Sequence, residues 1–283
     1  MEEFTPITAL RGHLAKERAA GRTVALVATM GYLHAGHLRL VDTARQSCDV
    51  VVLSAFVNPL QFGPSEDFGR YPRDPRRDRE LAAGRGVDIL FSPSAEEMYP
   101  AGSDLRIAAG GIGSRLEGIV RPGHFDGVLT VVAKLFNIVS PDVTCFGQKD
   151  IQQVTLVRRM IRELDFPIRL VVVPTEREPD GLAMSSRNVY LSAAERASAL
   201  ALSRALQAAH GAWQSGERRA ERLHEVLRHV LNAEPGVAMD YAAIVDPESL
   251  QPVVRAESGA IVALAARVGK TRLIDNLILG EPG

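Results

Sequence analysis

Two imidazoles three residues apart, His34 and His37, stand between an apolar run and a helix-spaced one. Residues 24–28 are wholly apolar and read as a short buried strand, whereas Leu38, Leu40, Val41 and Ala44 are spaced like the inner face of a helix. Between them Gly31 and Gly36 let the backbone turn and let a bulky anion come close. Positions i and i+3 share a helix face, so both rings can address one ligand. The first amides of a helix lack internal partners, and the helix dipole favours negative charge there. The chemistry that suits this arrangement is phosphate binding with two imidazole donors. A zinc site would need a third ligand, and nothing nearby supplies an obvious one. Two ordinary polar residues on a helix are the plainer alternative.

Four further stretches carry groups of interest. Asn58 and Gln61 hold amides that donate and accept, which suits a polyol or a carboxylate; plain turn chemistry explains Asn58-Pro59 equally well. Residues 67–78 are densely charged and read mainly as a solvated face, with Asp78 a candidate magnesium ligand beside a triphosphate. The stretch 121–128, with Arg121, His124 and two glycines, reads as a helix start with its turn; closure of His124 over a ligand is the alternative. Lys149 follows Gly147 at the start of a helix, an end where the dipole disfavours cations. A residue that breaks the local rule is a functional candidate, and an ammonium there is a point charge for phosphate. Gln153 lies one turn on, beside Asp150. In a loop led by Gly181, Ser185, Ser186 and Arg187 offer two hydroxyls and a guanidinium to phosphate oxygens.

The elements that must position these groups alternate. Strands are predicted over 24–28, 50–56, 87–91, 143–146 and 168–173. Helices are predicted over 8–20 with Thr8 as cap, after His37, over 75–85 and 125–139, and from Asp150, where Asp150 and Gln153 make a capping pattern. Residues 94–113 give no clear signal. Such alternation predicts an α/β fold, a Rossmann-like doubly wound parallel sheet with helices on both faces. Ligands of such sheets bind beyond the carboxyl ends of the strands, where the loops after Ala28, Phe56, Phe146 and Val173 lie. Composition shifts near Pro174. Residues 1–175 form the predicted first domain, and 176–283 a smaller α+β domain of two helices followed by short strands, with a hairpin around Gly269-Lys270.

Composition narrows the class. The chain has 283 residues, a formal net charge of -1 and 46% hydrophobic residues, enough for a sizeable core. A neutral balance gives no reason to expect nucleic acid as a partner. No apolar stretch is long enough to span a bilayer, and the acidic start lacks a signal-peptide pattern, so the expectation is a cytoplasmic protein without a membrane partner. Cys48 and Cys145 both sit in apolar surroundings and read as small buried hydrophobes.

Taken together the blocks resemble one family. The strand–glycine–helix setting of His34 and His37 is similar to the His-x-Gly-His signature of the adenylate-forming nucleotidyltransferase superfamily. The stretches TMGYLHAGH (29–37), FVNPLQFG (56–63), RYPRD (70–74), RPGHFDGV (121–128), FGQKDIQQ (146–153) and DGLAMSSRN (180–188), in this order, resemble the pantoate–β-alanine ligase (pantothenate synthetase) family over nearly the whole length. The resemblance implies a two-step reaction. Pantoate attacks the α-phosphate of ATP to give pantoyl adenylate and pyrophosphate, and β-alanine then displaces AMP. It implies that His34 and His37 contact the phosphates and that Lys149, Ser185, Ser186 and Arg187 hold the triphosphate. Met30, Gly31, Gly147, Gln148, Asp150, Glu176 and Met184 would lie beside the nucleotide. Met30, Gln61 and Gln153 would meet pantoate, with Asn58 and Tyr71 in support, and Asp78 would bind Mg2+. A homodimer with the small domain as a lid is also implied. Ala28, Tyr32 and Glu176 depart from the family's usual residues. Rival readings are a nucleotidyltransferase that stops at a nucleotide-linked product, a non-catalytic nucleotide-binding module, and a zinc hydrolase using His34 and His37.

Overall fold

The run Val24–Thr29 forms strand β2, and Ala25, Leu26 and Val27 on it are fully buried. A strand with apolar residues at successive positions must be covered on both faces, as a parallel sheet flanked by helices provides. In the computed structural model, which describes residues 1–64 and 66–281, that is what the first part of the chain builds. Strands β1 (Glu2–Phe4), β2, β3 (Val50–Ala55), β4 (Ile89–Phe91), β5 (Val143–Gly147) and β6 (Arg169–Val173) form one sheet in the order β1-β4-β3-β2-β5-β6. All five pairings are parallel. The order reverses at β2, which is hydrogen-bonded to β3 on one side and β5 on the other, and such a switch point opens a crevice beyond the carboxyl ends.

Helices connect the strands: α1 (Ile7–Ala19), α2 (Ala35–Ser47), α3 (Pro75–Gly84), the short α4 (Ala95–Met98), α5 (Gly110–Gly113) and α6 (Glu117–Val120), then α7 (His124–Val139) and α8 (Ile151–Glu163). Leu40, Val41 and Ala44 of α2 pack with Val27, Leu53 and Cys145. Three sequence expectations change. Pro6, not Thr8, precedes α1, and the first amide of that helix, Ile7 N–H, donates instead to the distant Glu97 Oε1 (2.7 Å). Strand β1 was not anticipated; it is three residues long with both glutamates exposed, so no apolar pattern announces it. The stretch 94–113 resolves into two single-turn helices, too short to show a period.

By backbone contacts the chain divides into two units, 1–147 with 156–174 and 148–155 with 175–283. The eight residues 148–155, which the sequence reading set in the first domain, thus group with the second unit. In the second unit α9 (Ala193–Gln214) and α10 (Ala220–Asn232) share a core with an antiparallel sheet β7 (Val237–Val245), β8 (Ile261–Val268) and β9 (Thr271–Ile278). Ser192 caps α9 in a reciprocal capping box with Glu195, as its spacing predicts. The β8–β9 hairpin turns at Gly269-Lys270, with Gly269 at φ 57°.

Candidate active site

The first unit gathers its candidate groups at the ends of β2 and β3. Thr29 ends β2 and accepts a bond from Gly31 N–H on its hydroxyl (3.1 Å). Gly31 (φ 76°) and Tyr32 (φ 50°) then take the left-handed conformation. A Cβ at Gly31 would lie 2.9 Å from Asp78 Oδ2, so space as well as φ calls for glycine. Tyr32 carries the strain of a side chain in that region, and α3 holds it there. Asp78 accepts from Tyr32 N–H (2.7 Å) and Leu33 N–H (2.6 Å), and Arg77 donates to Leu33 O (2.9 Å) and lies over the Tyr32 ring. His34 follows as the N-cap of α2. Its N–H donates to His37 Nδ1 (3.4 Å), and the two rings stack with centroids 4.0 Å apart. An accepting Nδ1 places the proton of neutral His37 on Nε2.

Asp78 does not fit the metal role expected of it. Both oxygens already accept main-chain amides, and the residue is 4% exposed. Its place in the structure is to fix the turn from which His34 emerges.

Beyond β3, Pro59–Gln61 makes a single 3-10 turn. Asn58, 1% exposed, has both ends of its amide engaged. Its Oδ1 accepts from Leu60 N–H (3.3 Å) and Tyr99 Oη–H (2.9 Å), and its Nδ2 donates to Gly127 O (3.1 Å) and Gln61 Oε1 (3.1 Å). Burial pushes the Tyr99 phenol up to about 12, so it stays a neutral donor. The backbone N–H of Leu60 admits one orientation of Asn58, and Asn58 in turn fixes that of Gln61. Gln61 Nε2 therefore points at Met30 Sδ (3.1 Å). Gly127 makes the contact possible, since a Cβ there would fall 2.1 Å from Leu60 O. His124 does not reach over an open site; its ring nitrogen Nδ1 lies 2.7 Å from Gln61 O. Tyr71 is buried and packs edge-on against Phe62.

The second unit holds the other candidates. Gln148–Asp150 is a 3-10 turn leading into α8, with Lys149 Nζ 3.8 Å from Asp150 Oδ1. Asn276 on β9, 2% exposed, donates to Gln148 O (3.0 Å) and Lys149 O (2.8 Å) and so pins this turn. Gln153 sits half-buried in the first turn of α8. The loop 176–184 folds back on itself: Met184 N–H donates to Glu176 O (2.9 Å), and Arg177 pairs through both terminal nitrogens with buried Asp275 (2.7 and 3.0 Å). Ser185 accepts from Arg187 N–H (3.2 Å) and starts the turn Ser186–Tyr190. In the first unit a Cβ at Gly147 would meet no atom within 4 Å, so the protein's own packing does not demand glycine there.

A turn that presents helix amides and two imidazoles at the end of a parallel strand can receive an anion such as a phosphate. Comparison with known proteins is specific. Residues 2–278 match the family described as pantoate-beta-alanine ligase. The chain belongs to that family. It is 52% identical over 279 residues to the pantothenate synthetase of Moorella thermoacetica, covering 99% of each chain. A solved pantothenate synthetase from Thermus thermophilus superposes with a TM-score of 0.93 at 49% identity, over 98% of this chain and 99% of that one. The pantoate-beta-alanine ligase of Francisella tularensis, solved with beta-gamma ATP and beta-alanine, gives 0.81 at 33% identity, over 98% and 97%.

Against the family pattern, Tyr32 is accommodated by Asp78 and Arg77, and Glu176 contributes its carbonyl to the Met184 bond. Sequence reasoning missed Tyr99, Asn276 and Asp275. The last two had a signal: an Asp-Asn pair set between the apolar pairs Leu273-Ile274 and Leu277-Ile278 breaks the local rule.

Proposed function

We propose that this chain, a ligase by family, condenses pantoate with β-alanine in two steps on one ATP. A pantoate carboxylate oxygen attacks the α-phosphorus; the bond to the β-phosphate oxygen breaks and pyrophosphate leaves. The amine of β-alanine then attacks the acyl carbon, the bond to AMP breaks, and the amine loses its proton. Charge builds on the five-coordinate phosphorus, and fixed donors aimed at it are the main lever. His34, His37 and the first amides of α2 supply such donors, His37 through Nε2–H. Lys149, Ser185, Ser186 and Arg187 hold the triphosphate as cations and hydroxyls. Gly31, Gly147, Gln148, Asp150, Glu176 and Met184 border the nucleotide.

Pantoate lies against Met30, Gln61 and Gln153. Thioether sulfur is a weak acceptor, so the Gln61 Nε2–H now facing Met30 Sδ is readily claimed by a substrate oxygen. This is the observation that carries the reading: an oriented amide donor facing Met30, on the same strand-to-helix turn that ends in a stacked histidine pair. Magnesium enters with ATP as a hard cation on phosphate oxygens and water. Asp78 as placed does not fit as its ligand, and no step is routed through the ion. The chain also pairs with a second copy of itself, a reading supported by the exposed apolar Leu105 and Ile119 and tested by light scattering.

The deciding measurement is AMP formation with ATP and pantoate, with and without β-alanine. Pyrophosphate should appear without β-alanine as a single turnover, and AMP should turn over only when the amine is present. Release of AMP or of a nucleotide-linked product at full rate without β-alanine would reject the two-step reading.

A further inference from the structure

Gln61 is held from behind as well as from the side. Its carbonyl accepts from His124 Nδ1–H (2.7 Å) and from Arg121 Nη2–H (3.3 Å). Arg121 also donates from Nη1 to His124 Nε2 (2.9 Å) and grips Glu66 through Nε (2.9 Å) and Nη2 (2.5 Å). The direction of this chain is fixed by its ends. A guanidinium has only donors, so His124 Nε2 must accept, and the ring proton must sit on Nδ1, where it meets the Gln61 carbonyl. Burial, reinforced by the Arg121 charge, holds the imidazole at about 4, so this tautomer persists through neutral pH. Glu66 balances the Arg121 charge where both side chains are about four-fifths buried.

We infer that His124 and Arg121 are positioning residues for pantoate, acting through the Gln61 carbonyl. The inference rests on Gln61 being a pantoate contact. Asn58 orients the Gln61 side chain, while His124 and Arg121 set the height of the backbone that carries it. Loss of the Nδ1–H bond frees the end of the Pro59–Gln61 turn, and the donor opposite Met30 moves away from the substrate oxygen.

The test compares Michaelis constants for pantoate and ATP in His124→Ala, His124→Asn, His124→Gln and Gln61→Ala. An asparagine amide nitrogen lies two bonds from Cβ, as Nδ1 does, and can restore the donor; a glutamine nitrogen lies three bonds away, as Nε2 does. His124→Ala should raise the pantoate constant about 10-fold and leave that for ATP within about 2-fold. His124→Asn should recover to within about 3-fold of the unmodified enzyme, and His124→Gln should not. Should His124→Ala fail to fold, the Asn and Gln variants still decide. Equal pantoate constants in those two, or parallel rises for pantoate and ATP, would overturn the inference. If Gln61→Ala leaves pantoate use unchanged, the underlying placement of pantoate has failed instead.

Discussion

At the residue scale the structure separates groups that present chemistry from groups that hold them. His34 and His37 stack at the start of α2, and the backbone bond into His37 Nδ1 leaves Nε2–H as the donor. Replacing either with alanine should lower the rate of pyrophosphate release by roughly 10²-fold or more with little loss of folding, as removal of one transition-state donor does elsewhere. Near-normal release in both variants would remove them from the mechanism. His124 has a different signature, in stability. The unfolded chain takes up a proton on this ring near the ordinary pH of about 6.5, whereas the folded protein resists protonation until about 4. Between those values protons favour the unfolded state, so stability is full above the upper value and falls as pH drops towards the lower. The single-group contribution reaches at most about 3 kcal/mol. Urea titrations at several pH values should show this slope, and His124→Asn should flatten it.

At the element scale one short helix governs the strained turn. Asp78 and Arg77, on successive positions of α3, fasten the two amides and one carbonyl that hold Tyr32 and Leu33 in place. Asp78→Ala should therefore cost about 1–3 kcal/mol of stability through two orphaned amides, that of buried Leu33 and that of half-buried Tyr32, and slow adenylation by displacing His34. It should not change the magnesium concentration at half-maximal rate. A large rise in that concentration, with stability unaltered, would return Asp78 to the metal.

For the whole molecule, what was legible in the sequence followed the range of the interactions involved. The parallel sheet could be read because β2 and β3 are largely apolar without alternation, and helix α2 because its buried positions recur locally. The placement of both histidines at that helix start needed only neighbouring residues. The tasks of Asp78 and His124 could not be read, since their partners lie 45 and 63 residues away along the chain. Asn276 acts on Lys149 across 127 residues. In each case a polar side chain meets main-chain atoms, which carry no residue identity and so leave no mark on the pattern. The orientation imposed on Gln61 by Asn58 has an outcome for substrate choice. A buried amide that cannot flip gives its pocket a permanent sign: it greets lone pairs and turns away protons. On the proposed placement of pantoate, a mimic with an ammonium or N–H in place of the oxygen that Gln61 meets would set hydrogen against hydrogen there, however well its carbon skeleton fitted.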